Sequence, residues 1–138
     1  MKLIQDILNH KSSEVWSIWP QATVIEALRL MRDKDIGALV VIDNSKAVGI
    51  ISERDYARKV VLNGLSSENV LVQEIMSENI VSATPHHKVH DCLQQRFRHL
   101  PVIEGDEILA VISIGDLVKS VIDEQQETID QLEHFISG

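Results

Sequence analysis

The sequence predicts an α/β fold built from two copies of one β-α-β-β-α unit, with an extended C-terminal helix. Three observations carry this: an internal repeat, short Val/Ile-rich runs, and a helical apolar period between those runs. The stretch 37–43 (GALVVID) is followed by VGIISERD at 48–55. At an offset of 61, RHLPVIE at 98–104 is followed by LAVISIGD at 109–116. No gap is needed: Leu39 falls on Leu100, Val41 on Val102, Ile51 on Ile112, Ser52 on Ser113 and Asp55 on Asp116. Upstream, Pro20 falls on Pro85, Val24 on Val89 and Leu28 on Leu93 at an offset of 65, and residues 5–8 resemble 73–76.

The elements follow in order. A short strand at 15–18, and again at 80–83, ends near a proline. Val24, Ala27, Leu28 and Met31 then recur at i, i+3, i+4 and i+7, one face of an amphipathic helix. Runs at 38–42 and 47–51, separated by Asp43, Asn44, Ser45 and Lys46, read as a strand–turn–strand hairpin. Runs this apolar are expected to be covered on both faces. A second helix starts after Ser52 and again after Ser113. A unit of roughly 60 residues is too small to bury its sheet well alone, so two are expected to pack pseudo-symmetrically. The expected boundaries are repeat 1 at 1–66, repeat 2 at 67–122 and a helical extension at 123–138.

The fall in offset from 65 to 61 places a four-residue deletion in the second copy, where 94–97 stands for 29–36. Four residues are close to one helical turn. The helix can lose a turn and keep its apolar phase, either as a tolerated shortening or as a reshaped second cleft.

Composition bounds the function. The 138 residues carry 13 Lys plus Arg against 21 Asp plus Glu, a formal charge of −8, which disfavours a nucleic-acid or anionic-membrane surface. A local basic pocket for one small anion remains compatible with that balance. The single cysteine, Cys92, excludes an internal disulfide, and it falls on Ala27 of the apolar helix face, where it reads as a small core side chain. The first eleven residues do not form a signal peptide, and no apolar run is long enough to span a membrane. A soluble cytoplasmic protein is expected.

The tandem G-h-h-S-x-x-D units behind GALVV and RHLPV resemble cystathionine β-synthase domains, which pair into a Bateman module. The similarity spans nearly the whole chain, and RDYARKVVL at 54–62, SIGDLVK at 113–119 and QLEHFISG at 131–138 are similar to small stand-alone bacterial proteins of that family. It implies a regulatory, signal-transducing module that binds an adenosine nucleotide between its repeats: AMP first, with ATP, NAD or S-adenosylmethionine as the others. It also implies a homodimer and no required cofactor. Two departures stand out: Ala110 replaces the usual glycine, and the second copy lacks the helical turn.

The candidate site residues each have two readings. Ser52 with Asp55, and Ser113 with Asp116, have the spacing of a helix capping box. The resemblance adds a second role, with both carboxylates accepting bonds from ribose hydroxyls. Gly37, Ala38 and Leu39 open a strand where a base can approach the backbone, or simply pack closely. The matching Arg98 and His99, followed by Leu100 and Pro101, offer cationic groups suited to a phosphate, or a solvated charge pair. Arg54 falls on Gly115, so phosphate handling should differ between the copies. Thr23, with Glu26 three later, caps the first helix; its counterpart Lys88 cannot cap but is cationic. Trp16 and Ile18 come from the entering strand, and Trp16 and Trp19 serve as core, dimer contact or adenine stacking. His86, His87 and His90 read as a polar loop and helix start rather than a metal site. Neither a catalytic triad nor a phosphate-cradling glycine loop is present. Ile122, Ile129 and Ile136, with Leu132, form a narrow stripe suited to another helix, in cis or across a dimer. The rival class is a structural dimerisation or interaction protein with degenerate clefts; either class admits a target protein.

Overall fold

The computed structural model describes residues 1–11, 14–95 and 97–137. Arg96 of the shortened segment and Gly138 of the tail lie outside the described residues. The chain forms two compact units: Val15–Ile80, and Met1–Glu14 together with Val81–Gly138. The second unit therefore joins the chain's first segment to its last.

In the first unit, β1 (Ser17–Ile18) runs parallel to β2 (Ala38–Asp43), which pairs antiparallel with β3 (Lys46–Ser52). The two-residue turn between β2 and β3 places Asn44 and Ser45 at φ 51° and 66°. Two successive left-handed residues give the twist a right-handed hairpin prefers. Four successive β2 residues, 38–41, are buried, so this strand is covered on both faces as its composition implied. Helix α2 (Val24–Lys34) buries Val24, Ala27 and Met31, with Leu28 packed against the same core. Its start is a complete capping box: Thr23 Oγ1 accepts the Glu26 N–H at 3.3 Å, and Glu26 Oε2 accepts the Thr23 N–H at 3.0 Å.

The helix after Ser52 begins as α3 (Glu53–Asp55) and widens at once into a π-helical stretch, Tyr56–Val61. Helix α4 (Val72–Ile75) then docks back. The Val72 and Gln73 N–H groups donate to Ala22 O and Pro20 O at 2.8 and 3.0 Å, and Val72 and Ile75 enter the core. Ser77 and Ile50 exchange two backbone bonds just beyond it.

The second unit repeats the hairpin as β4 (His99–Glu104) and β5 (Glu107–Ser113), with the same pairing and a bulge at the matching point, Val102/Ile103 for Val41/Ile42. Gly105 at φ 61° supplies its left-handed turn residue. Helix α1 (Ile4–Leu8) docks here as α4 docks in the first unit. The Ile4 and Gln5 N–H groups donate to His87 O and Pro85 O, both at 2.9 Å, and Ile4 is fully buried beside Val89, Leu100 and Ile112. The likeness of residues 5–8 to 73–76 thus marks two equivalent docking helices.

Three expectations are corrected. The strand expected at 80–83 shrinks to one parallel bridge between Ala83 and Val102. Val81 is exposed and only Ala83 reaches the core, so little side-chain burial holds a longer strand. The strand expected at 15–18 is likewise trimmed to two residues. The shortened helix α5 (Val89–Leu93) has five residues against eleven in α2, a larger difference than the four-residue deletion alone. Val89 and Cys92 still face the core. The last helix, α6 (Ile114–Ser137), runs for 24 residues, about 36 Å. Leu117 is fully buried and Val121 packs on the same core, whereas Ile122, Ile129, Leu132 and Ile136 are exposed.

Candidate functional site

Each unit presents one carboxylate at the junction of its hairpin and its second helix, and the repeat dictates why. The strand pairing sets Ala38 opposite Ser52 and His99 opposite Ser113. The Glu53 N–H donates to Gly37 O at 3.1 Å, and the Ile114 N–H to Arg98 O at 3.0 Å. The start of the preceding strand is thereby tied to the start of the helix. Gly37, Ala38, Ser52 and Asp55 come together in the first unit; Arg98, His99, Ser113 and Asp116 come together in the second.

Both capping boxes are complete. Asp55 Oδ2 accepts the Ser52 N–H at 2.9 Å and the Ser52 hydroxyl at 3.1 Å, while Ser52 Oγ accepts the Asp55 N–H at 3.2 Å. Asp116 Oδ2 accepts the Ser113 N–H at 2.9 Å, and Ser113 Oγ accepts the Asp116 N–H at 3.2 Å. A box of this kind fixes a carboxylate in one rotamer, which suits it to accept hydrogen bonds from paired hydroxyls.

Each carboxylate also carries an ammonium. Lys59 Nζ lies 3.2 Å from Asp55 Oδ1 and donates to Ile75 O at 2.8 Å. Lys11 Nζ donates to Asp116 Oδ2 at 2.9 Å. Burial pushes the Asp116 carboxyl up, but the Ser113 backbone N–H and the Lys11 ammonium outweigh it, and its pKa sits below the ordinary carboxylate value.

The other expected residues are placed as follows. Leu39 and Leu100 are buried in the two cores, and Pro101 is also buried with its carbonyl accepting the Ala83 N–H at 3.0 Å, so none of these side chains is open to a ligand. Ile18 packs against the first core on the parallel strand. Trp16 packs there too, with Lys34 Nζ 4.1 Å from its ring centroid, so its exposed face is already covered by a cation. Trp19 is 59% exposed. Thr23 is engaged in its capping box, whereas Lys88, at the matching position, makes no side-chain cap. Arg54 is half-buried and has no ion partner among the described residues; Arg98 is exposed. Gly115, opposite Arg54 in the repeat, leaves its cradle without that cation.

His87 Nδ1 accepts the Thr84 N–H at 3.0 Å, closing the turn before α5. Among the described residues, no group of three or more His, Cys, Asp or Glu side chains is arranged to hold a metal. Burial, with Asp91 adding to it, raises the Cys92 pKa and keeps the group a thiol, the less nucleophilic form. No helix among the described residues is long and apolar enough to cross a membrane.

The two units follow the repeat, and the CBS domain family model matches the chain twice, at residues 4–62 and 72–123. The chain belongs to the CBS domain family. It is 34% identical to the mitochondrial CBS domain-containing protein CBSX3 of Arabidopsis thaliana, covering 98% of this chain and 72% of that protein. A protein from Burkholderia ambifaria MC40-6, named for signal transduction and its CBS domains, superposes with a TM-score of 0.84. It shares 40% identity over 90% of this chain and 96% of its own. The CBS domain pair of protein MJ0100, solved with 5′-methylthioadenosine and S-adenosyl-L-methionine, shares the fold at a TM-score of 0.74 and 21% identity, covering 87% and 99% of the two chains.

The two lysines were not legible as site residues of this CBS pair. Lys59 stands four residues after Asp55, a spacing that could have marked an ion pair on a helical turn. Lys11 is 105 residues from Asp116, and nothing local links them.

Proposed function

We propose that this CBS pair is a non-catalytic regulatory module that binds an adenosine nucleotide, AMP first among them, at its two capped carboxylates. The observation that carries the reading is the doubled geometry itself. Asp55 and Asp116 are each locked by a capping serine beside the opening of a strand, and one solved CBS pair of the same fold holds adenosine compounds. Asp55 and Asp116 would accept the ribose hydroxyls, while Arg54 in the first unit and Arg98 in the second would meet the phosphate. Thr23 and Lys88 would border the same ligands. No cofactor is required for this role, which we place in the cytoplasm with a target protein reading the bound state. The ligand acts by binding one arrangement of the protein better than another.

Titration calorimetry with AMP, ATP, NAD and S-adenosylmethionine tests the proposal. Heat and a thermal shift with at least one of them, abolished in the Asp55→Ala/Asp116→Ala double variant, are expected. Silence with all four rejects it.

We further propose a homodimer formed through α6. Ile122, Ile129 and Ile136 occupy one heptad position, with Leu132 at the other, and all four are exposed although the helix continues past its own core. Light scattering should give twice the monomer mass, and Ile129→Glu should return the monomer. The competing reading, a dimerisation protein with degenerate clefts, draws on the lysine already seated at each carboxylate. It requires that Asp55→Ala and Asp116→Ala leave partner binding untouched.

A further inference from the structure

The two cradles differ in where their ammonium comes from. Lys59 stands one turn along the same helical stretch as Asp55, so its pairing involves no other part of the unit except Ile75 O. Lys11 comes from the N-terminal arm and reaches Asp116 across 105 residues of sequence. It follows α1 and Asn9–His10, whose amides are tied, among the described residues, to α1 itself: Asn9 N–H to Gln5 O at 3.0 Å and His10 N–H to Ile7 O at 3.1 Å. Upstream the arm is held by the Ile4 and Gln5 amides and by Lys2–Glu127, and among the described residues after Leu8 its tie to the rest of the unit is the Lys11–Asp116 pair.

The pair also consumes acceptor capacity. A carboxylate oxygen has two lone-pair directions. Asp116 Oδ2 accepts both the Ser113 N–H and the Lys11 ammonium, and the Ser113 hydroxyl also bonds the carboxylate, so serine and lysine together take up much of its acceptor capacity. A vicinal diol that engages both oxygens must take the place of the lysine. Lys11 can withdraw: its side chain is about one-third exposed, and it lines an open cleft of about 430 Å³ between α1 and α6, with Asp6, His10, Lys119 and Asp123.

We propose that Lys11 is an internal competitor for Asp116, so that a ribose-bearing ligand at this carboxylate displaces the lysine and frees residues 9–11. The inference rests on the adenosine-binding reading above. It makes the second cradle weaker than its serine–aspartate geometry alone would give. By reciprocity, whatever holds the arm down also opposes the ligand. At the first cradle Lys59 occupies Asp55 Oδ1 in the same way, but displacing it frees no arm, because that lysine belongs to the helical stretch of Asp55 itself.

The test compares AMP binding by Asp55→Asn protein, in which the first cradle is silenced, with and without Lys11→Met. Removing a partly exposed ion-pair partner should tighten AMP binding at Asp116 about two- to fivefold. Binding that appears only with Lys11→Met supports the same conclusion, and adding Asp116→Asn should erase the gain. Equal or weaker binding with Lys11→Met overturns the proposal, since Lys11 would then be neutral or a ligand-binding group. In the unaltered protein, saturating AMP should speed amide exchange at residues 9–11 at least twofold, and unchanged exchange also overturns it. If AMP binds the unaltered protein but neither Asp55→Asn form, Asp116 is no site and this inference alone falls. If none of the four adenosine compounds binds any form, the functional reading falls and takes this inference with it.

Discussion

The first unit and the second carry the same hairpin in the same register, yet the segment that docks beside it differs. In the first, the chain leaving α4 adds a bridge to β3 through Ile50 and Ser77. That approach requires Gly49, where a Cβ would stand 2.7 Å from Met76 Sδ and 2.9 Å from Ser77 O. In the second, no bridge joins β5 to the segment after α1 among the described residues, and the counterpart of Gly49 is the buried Ala110. The glycine-to-alanine departure therefore coincides with a difference in how each docking helix is followed. The two units differ also in the source of the lysine at each carboxylate, local for Asp55 and distant for Asp116.

Four experiments would break or sharpen this comparison. Ile4 is fully buried in the second unit as Val72 is in the first. Ile4→Ala should destabilise the protein by about 2–5 kcal/mol in denaturant melts, more than Val72→Ala. An effect below about 1 kcal/mol would mean that α1 is not part of that core. Next, Asp55→Ala should weaken AMP binding about 10- to 100-fold, as expected for loss of charged hydrogen bonds. Asp116→Ala should change overall affinity much less, and equal losses would remove the asymmetry.

Gly49→Ala should cost about 1–3 kcal/mol through overpacking against Met76 and Ser77. Ala110→Gly should cost about 1 kcal/mol or less, through strand entropy and one lost methyl. Comparable costs for the two would erase the docking distinction. The smallest effect concerns acid. The Asp116 pKa is lowered in the fold by its serine and lysine partners, against the opposing effect of burial. Its contribution to stability is therefore complete above the unfolded carboxylate pKa and is lost as pH falls through the lower folded value. Thermal melts across that acid range should show the unaltered protein losing slightly more stability than Asp116→Asn. Parallel curves would show that the pairing contributes nothing to stability.

Much of this was legible in the sequence because the repeat samples one structure twice. Leu39 with Leu100 and Ile51 with Ile112 specify the strand pairs, and the Ser-x-x-Asp spacing specifies both capping boxes. The helical face of Val24, Ala27 and Met31 was equally plain. What escaped was long-range or depended on burial. The strand at 80–83 failed because Val81 finds no core to enter, which its β-branched side chain cannot reveal. The π-helical widening at Tyr56–Val61 has no signature in apolar period. Lys11 is an ordinary polar residue until the docking of α1 brings it to Asp116.

That docking also bears on the order in which the chain can acquire structure. Residues 15–80 hold every strand and helix of the first unit in one contiguous stretch, so it can close as soon as that stretch leaves the ribosome. The arm carrying Ile4 is synthesised earlier but finds Val89, Leu100 and Ile112 only after a loop of more than eighty residues has formed. Closing such a loop is the entropically slow kind of contact. The arm carrying Ile4 is thus among the last segments to settle, and until then Ile4 stays uncovered.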